Sequence, residues 1–343
     1  MITAELRRAI LAAAGHDGAD PLLRPGPVPG SYASSLPFRL VQGPGHDPRD
    51  IAATLAARLA AEPWIATAQV TGPGYLTVTV THDALAGLAV RIARAGPASA
   101  ASDALRGHTV TAPADPDLAA GPDWPRARAA LAAHLTARLA AAAGARVIFS
   151  AERPMLPHSR PRPAATPEAE RPILPASRPP LAAAIAYAGA DAVLFALART
   201  PPGAAPPPAE VIARHLLINP AYAVRYAHAA AAAVLRWAAA LGTGPAGPQE
   251  FRPRLLLAPQ ELVLLDALSW LPERVAMAAR RGRPDEFAGY VEGLAARTMD
   301  TMSTTGFTKV SSISSERLWL ADAARAGLAA CLGLLGVSAP RRL

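Results

Sequence analysis

Asn219 to Trp237 reads NPAYAVRYAHAAAAAVLRW, and how this stretch folds decides the reading of everything around it. Its alanines lose little side-chain entropy in a helix. Tyr222 and Tyr226 stand four apart, which places them one turn above each other on one helix face. Arg225 and Arg236 bring positive charge to the same segment. Aromatic rings beside guanidinium groups suit unstacked bases and their phosphates. The same spacing also serves a half-buried bundle core, so spacing alone leaves both readings open. His228 fits a buried, hydrogen-bonding helix position better than a general base.

Outward from this stretch the periodicity stays helical. One helix is expected over Glu210 to Ala240, then a Gly/Pro loop, then helices over Ala258 to Leu271, Glu273 to Arg281, Asp285 to Thr304 and Ser315 to Leu335. Pro259 and Pro284 lie near helix starts, where the missing N–H costs nothing. Residues 209–343 therefore read as an all-α helical bundle.

The first 96 residues have another pattern. Ile2 to Ala14 is an amphipathic helix, and the Pro/Gly-rich Pro21 to Gly30 must be turn or extended chain. Tyr32 to Leu40 alternates in polarity, and Asp47 or Asp50 can cap a helix over Ile51 to Leu59. Ile65 to Val70 and Tyr75 to Val80 are β-rich runs joined by Thr71-Gly72-Pro73-Gly74, a turn by composition. With a helix over Asp83 to Arg94, this is a small α+β domain with an antiparallel sheet.

Between these ends lies a reduced middle. His108 to Ala112 reads as a strand, Pro125 to Ala143 as a helix and Arg146 to Ser150 as a second strand, one β-α-β unit with a parallel pair. Glu152 to Pro180 holds nine prolines and five arginines, an extended basic linker by composition. Leu181 to Arg199 is helical, and the Pro201 to Pro208 run closes the connector. The fold class is thus multidomain α+β: a small α+β domain at 1–96, a reduced Rossmann-like α/β remnant at 97–150, a linker at 151–180, a helix and connector at 181–208, and the all-α bundle at 209–343.

Composition bounds the partners. The net charge of +8 and a pI near 10.4 favour a polyanion. Lys309 is the one lysine among 34 Lys+Arg, a bias that a GC-rich coding sequence also produces, so arginine content by itself says little about nucleic acid. Cys331 is the only cysteine, which excludes an intrachain disulfide and a cysteine-based zinc site. His16, His46, His82, His108, His134, His158, His215 and His228 form no HExxH pattern, and no metal site is expected. Glu5, Arg7 and Arg8 interrupt any leader-like apolar run, and no uninterrupted apolar run spans a bilayer. A cytoplasmic protein with no membrane contact is the expectation.

Several stretches resemble class I arginyl-tRNA synthetases. The opening run is similar to their anticodon-binding helix, whose usual pattern is NPxYYVQYAHAR: Asn219, Pro220, Tyr222, Val224, Tyr226, Ala227 and His228 match, while Ala223, Arg225 and Ala230 depart. PQELVLLDALSWLPERVAMAA, PDEFAGYVEGLA and the final ERLWLADAARAGLAACLGLLGVSAPRRL follow the family's DALR anticodon-binding domain in order. YASSLPFRLVQ, IAATLAARLA and VTGPGYLTVTV resemble its N-terminal additional domain. GADAVLFALART resembles the helix that ends the family's catalytic core, with Leu194 in place of the usual Arg.

The resemblance implies roles for particular residues. Anticodon contacts are implied at Tyr222, Arg225, Tyr226 and Tyr290, and at Leu343, which stands where Met is usual. Contacts with the tRNA elbow are implied at Tyr75, matching an aromatic after GPG, and at Thr77, where Asn or Gln is usual. Pro122-Asp123-Trp124-Pro125-Arg126 falls where the HIGH residues would lie and carries no histidine; nothing like the lysine-bearing KMSKS loop occurs. Those groups normally steady the triphosphate during adenylation. No catalytic residue is therefore assigned and no cofactor is expected, ATP included. The expected partner is a tRNA, an arginine tRNA by resemblance, with a protein partner left open. Two other readings stand beside a non-aminoacylating tRNA binder: residual or partner-assisted arginine-tRNA ligase activity, and an interaction scaffold that has lost RNA.

Overall fold

A computed structural model describes residues 1–15, 20–41, 47–113, 124–150, 180–309 and 313–343. The expected linker at 151–180 lies almost wholly outside the described residues, as do Pro122 and Asp123.

The chain opens with α1 (Ile2–Ala14), β1 (Leu23–Pro25), β2 (Ser31–Ser34), α2 (Leu36–Leu40), α3 (Pro48–Leu59), β3 (Ile65–Thr71), β4 (Tyr75–Val80), α4 (His82–Ala86) and α5 (Leu88–Ala95). The strands form an antiparallel sheet in the order β1-β2-β4-β3, with Tyr32 opposite Val78 and Thr71 opposite Tyr75. Two details differ from the sequence reading. The Tyr32 to Leu40 run is split into a strand and a short helix, because Pro37 stands at a helix start after Ser35 and has no N–H for a ladder. The Asp83 to Arg94 helix is divided at Gly87. Of the two possible caps for α3, Asp47 is the one used, accepting from the Arg49 N–H at 2.8 Å.

The middle contributes β5 (Thr109–Pro113), α6 (Trp124–Ala142) and β6 (Arg146–Ser150), with β5 and β6 parallel and Val110 opposite Val147. After it come α7 (Leu181–Ala188) and α8 (Ala190–Arg199), not one helix but two, bent by 119° at Gly189. Gly189 has φ +84, a conformation outside the helical region that only glycine adopts without strain.

The last part holds α9 (Ala209–Ile212), α10 (Pro220–Ala240), α11 (Pro259–Ser269), α12 (Leu271–Arg281), α13 (Pro284–Met302), α14 (Thr305–Thr308) and α15 (Ser315–Leu334). The single helix expected from Glu210 is interrupted over residues 213–219, because Asn219 caps a new one. Its Oδ1 accepts from Ala221 N–H, while its Nδ2 donates to the Ile212 and Arg214 carbonyls at 2.8 and 2.7 Å. Helix α10 buries Val224, Ala227, Ala231 and Ala238 against α13, α15 and α8. Alanines there let the helices approach closely. No single helix among the described residues is long and apolar enough to cross a membrane.

The N-terminal elements pack directly on this bundle, α5 lying along α15. Polar groups hold the seam. Thr3 Oγ1 donates to the Ser269 carbonyl at 2.7 Å, Tyr32 Oη donates to Ser269 Oγ at 2.8 Å, and Gly30 N–H donates to Asp266 at 2.9 Å. Arg7 donates to both carboxylate oxygens of Glu273 at 2.7 Å and to Asp20 at 2.8 Å, and Arg280 closes the network on Asp20. Burial alone would raise the Asp20 carboxyl, but Arg7 and Arg280 hold it below its ordinary value.

Candidate nucleic-acid interface

Helix α10 presents a ladder of rings. Tyr222 and Tyr226 stack with centroids 5.7 Å apart and planes at 26°, and His215, from the loop before the helix, lies on Tyr222 at 5.5 Å and 9°. Both tyrosines thus reach the surface face that four-residue spacing expects, with Tyr226 36% exposed. His215 has no place in the helical register, so periodicity could not find it. Asn219 positions it, since the bonds to Ile212 and Arg214 tie the loop to the helix start.

The adjoining face of α10 grips the C-terminal tail. Arg225 pairs with Asp191 at 3.2 Å and donates to Ser338 Oγ at 3.3 Å, while Ser338 N–H donates to Asp191 at 3.0 Å. His228 Nδ1 donates to the Pro340 carbonyl at 2.8 Å, and Arg236 donates to the Arg341 carbonyl. A carbonyl only accepts, so Nδ1 carries the proton. Burial holds His228 below its ordinary pKa against the pull of this bond, and Arg325 and Arg341 push it lower. The tail therefore runs from the Arg225 level of α10 to the Arg236 level and ends in exposed Arg341, Arg342 and Leu343.

Each expected anticodon residue has a definite place. Arg225 is committed to the tail clamp, its charge already met by Asp191. Leu343 is 55% exposed at the end of the clamped tail. Tyr290 is half-buried at the edge of the bundle core: its hydroxyl donates to the Ala267 carbonyl at 2.8 Å, its ring packs on Phe287 at 6.0 Å, and desolvation pushes its pKa well above the ordinary value. No described ring contact joins Tyr290 to the Tyr222–Tyr226 ladder.

At the other end of the chain, Tyr75 opens β4 and packs against Phe38 of α2, with centroids 4.9 Å apart and planes at 60°. Both rings are exposed. The turn before Tyr75 is held tightly to α3: Gly74 has φ +134 and a Cβ there would come within 2.7 Å of Pro48, while Arg49 donates to the Gly72 carbonyl at 3.2 Å. Thr77 is 7% exposed on an interior strand of the sheet and its hydroxyl shares a 2.7 Å hydrogen bond with that of Thr71, so the expected elbow residue is a buried one. Phe38 is the second surface ring, and its signal was the FRL of YASSLPFRL.

In the middle, Trp124 is buried at the start of α6 and Arg126, two residues on, is exposed. Among the described residues no group of three His, Cys, Asp or Glu could hold a metal ion.

Comparison with known proteins bears on both ends. Residues 224–343 match the DALR anticodon binding domain and residues 1–80 match the arginyl tRNA synthetase N terminal domain. An arginine–tRNA ligase of Clavibacter sepedonicus is 42% identical over 130 residues, 36% of this chain and 23% of that protein. That of Kineococcus radiotolerans is 39% identical over 139 residues, 39% of this chain and 25% of the relative. The matched stretches span about a quarter of the length of these curated relatives. The solved Thermus thermophilus arginyl-tRNA synthetase has the same fold, with a TM-score of 0.68 at 15% identity and 100% of each chain covered. The chain is arginyl-tRNA synthetase-like, with the N-terminal and anticodon-binding domains of that family.

Proposed function

We propose that this arginyl-tRNA synthetase-like chain holds a tRNA, an arginine tRNA in particular, at its anticodon and its elbow without aminoacylating it, in the cytoplasm. The observation that carries the reading is the ring ladder of half-buried Tyr222 and exposed Tyr226 on α10, beside a clamped, arginine-ending tail. Stacking of an unpaired base on such a ring contributes ~1–3 kcal/mol, and the arginines supply a salt-dependent phosphate term. Tyr75 and Phe38 form the corresponding surface for the elbow.

Aminoacylation is set aside on chemical grounds. Adenylation needs positioned donors around a triphosphate, and in the segment aligned with the HIGH residues no histidine stands, Trp124 is buried and Pro125 lacks an N–H, which leaves Arg126 as the exposed cation among its described residues. Domain boundaries at 1–96, 97–150, 181–208 and 209–343 complete the proposal, with the two tRNA contacts on the first and last.

The test is tRNA binding by Tyr222→Ala/Tyr226→Ala. A drop of tenfold or more, with an unchanged circular-dichroism melt, supports the reading; wild-type affinity in the double variant refutes the site. Failure of the wild-type protein to bind any tRNA favours the scaffold reading.

A further inference from the structure

Trp237 is 57% exposed near the C-terminal end of α10, a large ring left in solvent. It lies eleven residues beyond Tyr226, and at ~3.6 residues per turn that is only ~20° around the helix and ~16 Å along it. Tyr222, Tyr226, Ala230, Ala233, Trp237 and Leu241 therefore form one stripe. Between the tyrosines and the tryptophan the stripe carries only two small side chains, Ala230, half-buried, and Ala233, buried.

The surroundings of Trp237 are basic. Arg236 anchors Arg341 of the tail, which brings Arg341 and Arg342 to the same end of α10. The tail thus follows the stripe from the tyrosine level toward the tryptophan level, its arginines at the far end. An apolar surface meant for a protein core would have little use for that charge.

We infer that Trp237 is a further base-stacking position, which takes an unpaired nucleobase of the same RNA a few nucleotides along from the base held at Tyr226. The strand passes over Ala230 with its phosphates toward the tail arginines. Indole is a broad stacking surface that accepts any base, so Trp237 adds affinity and sets how much single strand is gripped, and adds little choice between bases. The inference rests on the tRNA reading of α10.

The experiment uses the full chain and a synthetic hairpin carrying an arginine tRNA anticodon loop, with binding followed by anisotropy of a labelled hairpin and by tryptophan emission. Trp237→Ala is expected to weaken binding by ~5- to 100-fold, and Trp237→Phe to recover most of it while losing the emission quenching expected of wild type. Wild-type affinity and quenching in Trp237→Ala, with Tyr222→Ala/Tyr226→Ala impaired, would overturn the inference and leave the tRNA reading intact. No binding by wild type would overturn both. Loss of self-association on sedimentation of Trp237→Ala, with RNA binding unchanged, would assign the ring to a protein contact and also overturn it.

Discussion

The two aromatic surfaces are built in opposite ways. At the sheet, Tyr75 and Phe38 meet at 60° from two short elements, and a glycine turn wedged against Pro48 holds the strand start in place. On α10, Tyr222 and Tyr226 stack at 26° on a single 21-residue helix whose adjoining face is clamped by the tail. The first is a corner made by tertiary packing, the second a ladder made by one helix. A ladder in helical register is legible from spacing, whereas a corner exists only once the sheet has formed.

The seam between the two regions is the most sensitive point. Glu273→Ala leaves Arg7 buried without its main partner, and breaking a buried pair costs ~3–5 kcal/mol. A urea midpoint shifted by that amount is expected; a loss under 1 kcal/mol would mean that sheet and bundle are not energetically coupled. Next come the rings themselves. Tyr226→Ala and Tyr75→Ala each remove a stacking surface worth ~1–3 kcal/mol in tRNA affinity, and the α10 change alone should be felt by an isolated anticodon hairpin. If the hairpin responds to Tyr75→Ala instead, the two surfaces have been assigned the wrong way round.

Smaller effects probe what positions each surface. Asn219→Ala removes a cap and unties the His215 loop, at ~1–2 kcal/mol of stability, seen as a lower thermal midpoint. Thr77→Val should leave tRNA affinity unchanged, since the hydroxyl is buried on Thr71; weakened binding would reinstate it as a contact.

The smallest effect is on pH dependence. His228 has a lowered pKa, so the folded state binds fewer protons than the unfolded one. Its contribution is whole above the unfolded value of ~6.5 and is lost as pH falls through the folded value. His228→Asn, which keeps a donor for Pro340, should flatten the stability–pH curve below ~6.5. A curve of unchanged slope would remove His228 from the account.

Much of the fold was legible, and what escaped did so for physical reasons. The Tyr222–Tyr226 pair, the hairpin at Gly72 to Gly74, the parallel β5–β6 pair and the helix order all followed from periodicity and turn chemistry. The breaks at Gly189 and before Asn219 did not, because alanine-rich runs carry the same local preference on both sides of a bend. Arg225 and Tyr290 were expected as anticodon contacts by resemblance, and their pairing with Asp191 and Ala267, distant along the chain, has no local signal. The burial of Thr77 against Thr71 escaped because strand position says nothing about which hydroxyl its neighbour offers. His215 and Phe38 were missed since neither falls in a register with the ring it touches.

The measurement closest to the central claim is retention of total cellular tRNA on the purified protein across a salt series, with the retained species sequenced and ATP–pyrophosphate exchange run on the same sample. Selective retention of arginine tRNAs that weakens steeply with salt, without exchange, is the predicted result. Arginine-dependent exchange, or no tRNA retained at low salt, would contradict it.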